Sequence, residues 1–194
     1  MIKRSFDIVF SFLGIIFLLP TFIIISLLVG LTSKGGVFYK QKRVGKDNKD
    51  FTLYKFRSMK VNSDKKQLIT VGEKDNRVTK VGYIIRKYKL DELPQLFNVL
   101  KGNMSFVGPR PEVRYYVDMY SDEQKQVLSV RPGITDIASI EYRNENALLE
   151  KADNPQEFYI KEVMPKKLEL NRQYIISQSF IGDIKLIFKT IKSI

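Results

Sequence analysis

The sequence predicts a mostly helical α+β protein seated at a membrane, and three observations carry that prediction. Residues 8–31, IVFSFLGIIFLLPTFIIISLLVGL, contain no charged side chain. Next, VFYKQ and FTLYKF flank VGKDNKD, so two runs of β-formers enclose turn chemistry. Then Leu93, Leu96, Phe97 and Leu100 fall at i, i+3, i+4 and i+7, one apolar face of a helix.

The first segment is long enough to cross a bilayer, which needs roughly 20 apolar residues. It exceeds the core of a secretory signal peptide, and no small-residue cleavage site follows, so removal is not expected. Hydropathy alone favours a span, but two features favour a re-entrant helix. Pro20 lies near the centre, where it removes a backbone hydrogen bond and kinks the helix. Both flanks are basic, with Lys3 and Arg4 before and Lys34, Lys40, Lys42 and Arg43 after, and basic flanks prefer the cytoplasmic side. The half from Ser5 to Leu19 would be only about 22 Å long at the helical rise, too short to cross alone. We therefore expect residues 1–34 to form a re-entrant membrane helix and residues 35–194 a separate domain on the cytoplasmic face.

The hairpin comes next, followed by a polar loop over Val61 to Asn76 and a short helix over Val78 to Tyr88. The apolar face from Leu93 requires a helix starting near Asp91, since Pro94 is tolerated only in a first turn, and Gly102 ends it. VGPRPEV reads as a stiff turn, with Pro111 opening a helix through EVRYYVDMY, and RPGIT as a second turn. Residues Glu141 to Asn171 read as two helical pieces parted near Asn154-Pro155. In the tail, Ile184, Ile187, Phe188, Ile191 and Ile194 share a face beside Lys185, Lys189 and Lys192. That pattern suits a helix on an anionic membrane surface and a core-packed terminal helix almost equally.

Composition narrows the chemistry. The 194 residues include no cysteine and no histidine, which excludes thiolate nucleophiles, imidazole bases and zinc sites built on those ligands. A formal net charge of +12 implies an anionic partner such as nucleic acid, anionic lipid or a phosphorylated substrate.

Asp91 and Glu92 open the apolar helix. Taken alone, an acidic pair there is an ordinary cap complementing the helix dipole. The same position also suits phosphate chemistry. A carboxylate sharing Mg²⁺ with a diphosphate relieves mutual repulsion, and an aspartate can then attack phosphorus as a covalent nucleophile. Arg110, between two prolines, offers a planar fork to the phosphoryl oxygens. Arg86, five residues before Asp91, can approach the same place or simply be an exposed charge near a helix end.

With these residues in view, LDELPQLFNVLKGNMSFVGPRPE closely resembles the signature of the bacterial sugar transferases. These are the monotopic phosphoglycosyl transferases that load a sugar phosphate onto polyprenyl phosphate. RSFDIVFS, the proline-bearing helix, QKRVG, YKFRSM, RPGIT, YRN and a Ser-Phe-x-x-Asp-x-Lys pattern at Ser179 to Lys185 extend the resemblance over nearly the whole chain. It implies a re-entrant helix, interfacial amphipathic helices and a small β-hairpin. It also implies a catalytic dyad at Asp91 and Glu92, with the aspartate attacking the β-phosphorus of a UDP-sugar and expelling UMP. Polyprenyl (undecaprenyl) phosphate then takes the phosphosugar in a Mg²⁺-dependent ping-pong reaction, with Asp91 the expected metal ligand. Glu92 either assists the lipid phosphate or binds metal. The family's substrate-binding cations fall on Arg86, Arg110, Lys55, Arg57 and Arg143. The expected location is the bacterial inner membrane, and the expected partners are the UDP-sugar, the polyprenyl phosphate and membrane lipid, without nucleic acid. Two departures stand out: Leu19-Pro20 replaces the usual Ser-Pro, and GITDIASIEYRN stands where relatives commonly read GITGWAQVNGRN. The second leaves the sugar open.

Two other classes compete. A membrane-tethered nucleic-acid-binding protein would use the net charge and the aromatic residues among the cations, but it gives Asp91-Glu92 no role. A non-catalytic scaffold for glycan assembly would share the fold, and the intact dyad argues against it.

Overall fold

A computed structural model describes residues 2–63 and 75–193. Most of the expected 61–76 loop therefore lies outside the described residues. Helices α1 (Ile2–Phe17) and α2 (Leu19–Thr32) meet at 62°, and the bend falls where Pro20 enters the first turn of α2. No single helix among the described residues is long and apolar enough to cross a membrane, although the bent pair is by length and composition. The bend forms without the usual serine.

Helix α1 is turned inside out relative to a soluble helix. It buries Asp7 and Ser11 and leaves Val9, Phe10, Phe12, Leu13 and Phe17 outward. Asp7 accepts from the Ser105 hydroxyl and the Phe106 N–H, both at 3.1 Å. Arg4 donates to the carbonyls of Val99 (2.7 Å) and Leu100 (3.0 Å), and Lys3 meets the Asp183 carboxylate at 2.7 Å. The two basic residues read as a topological flank are thus spent docking α1 onto the rest of the protein. That places the apolar face of α1 outward.

The hairpin pairs β1 (Phe38–Val44) with β2 (Asp50–Phe56), Phe38 opposite Phe56 and Val44 opposite Asp50. Its turn uses Asp47 and Asn48 in the left-handed region, which short polar side chains tolerate. Alternation puts Phe51 and Leu53 inward against Val99 and Met104, and Lys55 continues on that face. Helix α3 (Lys80–Lys87) is capped by Thr79, whose hydroxyl accepts from the Gly82 N–H.

The largest departure from expectation lies at the acidic pair. The helix α4 (Gln95–Lys101) starts four residues after Asp91, and Leu90–Glu92 form a separate tight turn. Pro94 has no N–H to give the Leu90 carbonyl, which accepts instead from Leu93 at 3.3 Å and closes the turn early. Lys89, left-handed at φ 55°, swings the chain into it. Asn98 ties α4 to the hairpin, accepting from the Tyr54 N–H (3.0 Å) and donating to the Thr52 carbonyl (2.7 Å).

A second, parallel sheet was not apparent in the sequence. It pairs β3 (Ser105–Val107) with β4 (Gly133–Thr135). The two chains approach so closely that a Cβ on Gly133 would lie 2.2 Å from the Gly108 nitrogen. The expected helix through EVRYYVDMY shrinks to α5 (Arg114–Val117). Then come α6 (Ile137–Glu141), α7 (Glu145–Glu150) and α8 (Pro155–Phe158), the last starting at the expected Asn154-Pro155 break, with Asn154 as its cap. One wide turn (Tyr159–Val163) leads from α8 into α9 (Met164–Ile176). The tail is α10 (Phe180–Ser193), which buries Asp183 but exposes Ile181, Phe188 and Ile191 beside its lysines. The architecture is therefore mostly helical with an antiparallel hairpin, as expected, plus the small parallel pair.

Candidate active site

The turn at Leu90–Glu92 owes its orientation to its apolar neighbours. Leu90, Leu93 and Phe97 pack against Phe22, Ile25, Val29, Phe56 and Ile85, a cluster shared with α2. With those side chains drawn into the core, Asp91 and Glu92 are left on the wall of a cavity of about 350 Å³. The seven residues expected to form the site all line it: Lys55, Arg57, Arg86, Asp91, Glu92, Arg110 and Arg143.

The two carboxylates have opposite surroundings. Glu92 Oε1 lies 2.7 Å from Lys55 Nζ and 2.5 Å from Arg110 Nη2, and Oε2 accepts from Arg110 Nη1 at 3.4 Å. Burial alone would raise its pKa, but Arg110 and Lys55 together outweigh burial and hold Glu92 well below the ordinary glutamate value. Asp91 takes no hydrogen bond or ion pair among the described residues, although it is only 7% exposed. Burial raises its pKa, the adjacent Glu92 adds to that, and the fields of Lys55, Arg86 and Lys89 oppose it. Burial likewise lowers the Lys55 ammonium despite its glutamate partner, and Glu92 raises Arg110 further. One acid is pinned and ionised; its neighbour is free and more basic than usual. That division equips Asp91 to react and Glu92 to hold cations in place.

Arg110 is fixed from behind. The buried carboxylate of Asp136 accepts from the Arg110 backbone N–H (3.1 Å), from Asn171 Nδ2 (2.9 Å) and from the Ser139 N–H that starts α6 (2.6 Å). Asp136 is the aspartate of GITD, so the local departure in sequence has a structural use that reading the sequence missed. The sequence reading also missed Tyr39, Gln41 and Arg43, which share the face of Lys55 across the hairpin and line the same cavity. Strand alternation was the signal that could have found them. Glu112 is another: it meets Arg43 at 3.3 Å and accepts from the Tyr159 hydroxyl at 2.7 Å.

The expected cations differ in freedom. Arg57 donates to the carbonyls of Gly36 (3.0 Å) and Phe38 (3.1 Å), so much of its fork secures the base of the hairpin. Arg143 lines the cavity from the bend between α6 and α7, without a hydrogen bond or ion pair among the described residues. Arg86 acts on Asp91 through its charge.

No group of three acidic or other ligating side chains suited to a metal occurs among the described residues. A free Asp91 beside an engaged Glu92 fits Mg²⁺ all the same, because that ion commonly takes one or two carboxylates and draws its other ligands from phosphate and water.

A family model described as bacterial sugar transferase matches residues 1–194. Among curated relatives, a UDP-N-acetylgalactosamine-undecaprenyl-phosphate N-acetylgalactosaminephosphotransferase of Aeromonas hydrophila is 40% identical over 100% of this chain and 43% of its own length. A UDP-glucose:undecaprenyl-phosphate glucose-1-phosphate transferase of Escherichia coli K12 is 39% identical over 98% of this chain and 39% of its own. The chain thus spans less than half of these two relatives. It covers 84% of an exopolysaccharide production protein, ExoY, of Sinorhizobium fredii, at 32% identity.

Proposed function

The chain belongs to the bacterial sugar transferase family, and from that premise we propose that it moves a sugar 1-phosphate from a UDP-sugar to undecaprenyl phosphate. The observation that carries this reading is the Asp91 carboxylate, unpaired among the described residues, beside a Glu92 gripped by Lys55 and Arg110. In the proposed reaction an Asp91 oxygen attacks the β-phosphorus, an Asp–phosphorus bond forms, and the bond from that phosphorus to the bridging oxygen breaks. UMP leaves with that oxygen. A phosphate oxygen of the lipid then attacks the same phosphorus, and the Asp91 bond breaks to give the polyprenyl-diphospho-sugar. Arg110, aimed by Glu92 and Asp136, faces the charge that develops on the phosphoryl oxygens. Glu92, ionised and doubly paired, is poorly suited to donate a proton at neutral pH, so its role is to organise these cations. Mg²⁺ held at Asp91 would supply neutralisation of diphosphate charge and keep the carboxylate from repelling its target.

The reading is tested by incubating membranes containing the protein with a panel of UDP-sugars, Mg²⁺ and undecaprenyl phosphate. Release of UMP with at least one donor is expected, and silence across the panel sinks the proposal. Within that assay Arg110→Lys should lower turnover about 10–100-fold with little change in melting, since one ammonium cannot reproduce the paired contacts of the guanidinium. Near-normal turnover removes Arg110 from the mechanism.

The membrane reading follows from the same parts. The catalytic turn shares its core with α2, and α1, α2 and α10 all carry exposed apolar residues. We infer that the bent pair enters and leaves one leaflet, with the cavity on the cytoplasmic face of the bacterial inner membrane. A cysteine replacing Ile2 should then resist an impermeant thiol reagent applied to intact cells. Labelling from outside would mean a true span.

A further inference from the structure

The cavity is chemically two-sided. Lys55, Arg57, Lys60, Arg86, Lys89 and Arg110 come from the hairpin, the segment after it, α3, the catalytic turn and the Pro-Arg-Pro loop. Tyr116, Ser139, Tyr142, Glu145, Asn146 and Tyr159 come from α5 through the wide turn before α9. The Pro-Arg-Pro loop touches both sets: Arg110 turns to Glu92, whereas Glu112 bridges Arg43 of the hairpin and Tyr159.

On the second side the acids are already neutralised. Glu112 is held as just described, and Glu145 meets Lys167 at 2.6 Å. Arg143 excepted, what this wall presents to the cavity is aromatic and polar without net charge. A diphosphate is drawn to the cationic side. A neutral pyranose, with apolar ring faces and hydroxyls at its edges, matches the other. One further observation points to a ligand here. Tyr116 is 2% exposed, and its hydroxyl is buried without a hydrogen-bond partner among the described residues, with its pKa pushed up to about 12 by burial and then by Glu112. An unsatisfied buried hydroxyl, on a residue that lines the cavity, costs stability unless something in the working protein meets it.

We propose that the wall formed by Tyr116, Tyr142 and Asn146 is the hexose subsite, and that it sets which sugar the enzyme accepts. This rests on the sugar-nucleotide reading above. The wall recognises the hydroxyl or acetamido groups at the edge of the ring, while the cationic side takes the nucleotide diphosphate.

The test uses the full chain and two variants, Tyr116→Phe and Asn146→Ala. Tyr116→Phe removes only the unpartnered oxygen, and Asn146 is exposed, so both should fold. For each, kcat/KM is measured by UMP release for UDP-glucose, UDP-galactose and their 2-acetamido counterparts, alongside inhibition by UMP and the melting temperature. The expected result is a shift of about tenfold in the ratio between donors in at least one variant, the size of one hydrogen bond gained or lost. Inhibition by UMP should be unchanged, and Tyr116→Phe should melt no lower than wild type. Unchanged donor ratios in both variants overturn the subsite. So does a parallel loss of UMP inhibition, or a lower melting temperature for Tyr116→Phe. A wild type that releases no UMP with any donor instead defeats the sugar-nucleotide reading itself, and the subsite falls with it.

Discussion

Asp91→Asn should abolish turnover, by about 10⁴-fold or more on the scale of other nucleophile deletions, while leaving the protein at least as stable as wild type. An amide is a poor nucleophile and a poor ligand for Mg²⁺. The stability half follows from the setting of the carboxylate, which is buried without a hydrogen bond or ion pair among the described residues. Its pKa is raised above the ordinary 3.8, by burial first and then by Glu92. Folding therefore disfavours the ionised form, and that cost is present above the folded pKa and disappears as pH falls through it. Asn carries no charge to bury. At neutral pH the variant should melt no lower than wild type, and any gain should vanish in acid. A variant that is inactive because it has unfolded would not support the assignment, and one that retains near-normal turnover would refute it.

Glu92→Gln should do the reverse to stability. It removes the counter-charge of Lys55 and Arg110, leaving two cations side by side with nothing between them. Breaking a buried pair costs roughly 3–5 kcal/mol, and the partial exposure of Arg110 brings the expected loss to about 2–3 kcal/mol. Since the Glu92 pKa is held below its unfolded value, this stabilisation is full above the ordinary 4.5 and fades as pH falls through the folded value. Turnover should fall about a hundredfold or more, because the arginine loses its aim and the freed cations can turn to Asp91, lowering its basicity. Thermal melting and UMP release on the same preparation check both halves. A variant with wild-type melting and turnover would leave Glu92 no organising role.

Local chemistry was legible in the sequence where the decisive contacts are near in the chain. The hairpin, the Gly102 stop, the break at Asn154-Pro155 and the helix over Val78 to Tyr88 all follow from residues within a few positions of one another. The start of α4 was misplaced by four residues because the apolar period continues through Leu90 and Leu93 while Pro94 breaks the hydrogen-bond ladder. The parallel pair was invisible because β3 and β4 are three residues each and meet across 28 positions of sequence, from Ser105 to Gly133. Lys3 and Arg4 illustrate a different limit. Their charge suggested a membrane flank, but their partners, at Asp183 and at the end of α4, appear only once the chain is folded. At the cavity, the residue types were readable and their division of labour was not. Adjacent Asp91 and Glu92 look alike in sequence, and only tertiary contacts give Glu92 two ion pairs and leave Asp91 with none among the described residues.

The most direct measurement is the mass of the Asp91 peptide after the protein meets its UDP-sugar with Mg²⁺ and no lipid acceptor. The account predicts one equivalent of UMP released and a sugar-phosphate adduct on Asp91 that disappears when undecaprenyl phosphate is added. UMP appearing only in the presence of the lipid, with the peptide unmodified throughout, would contradict it.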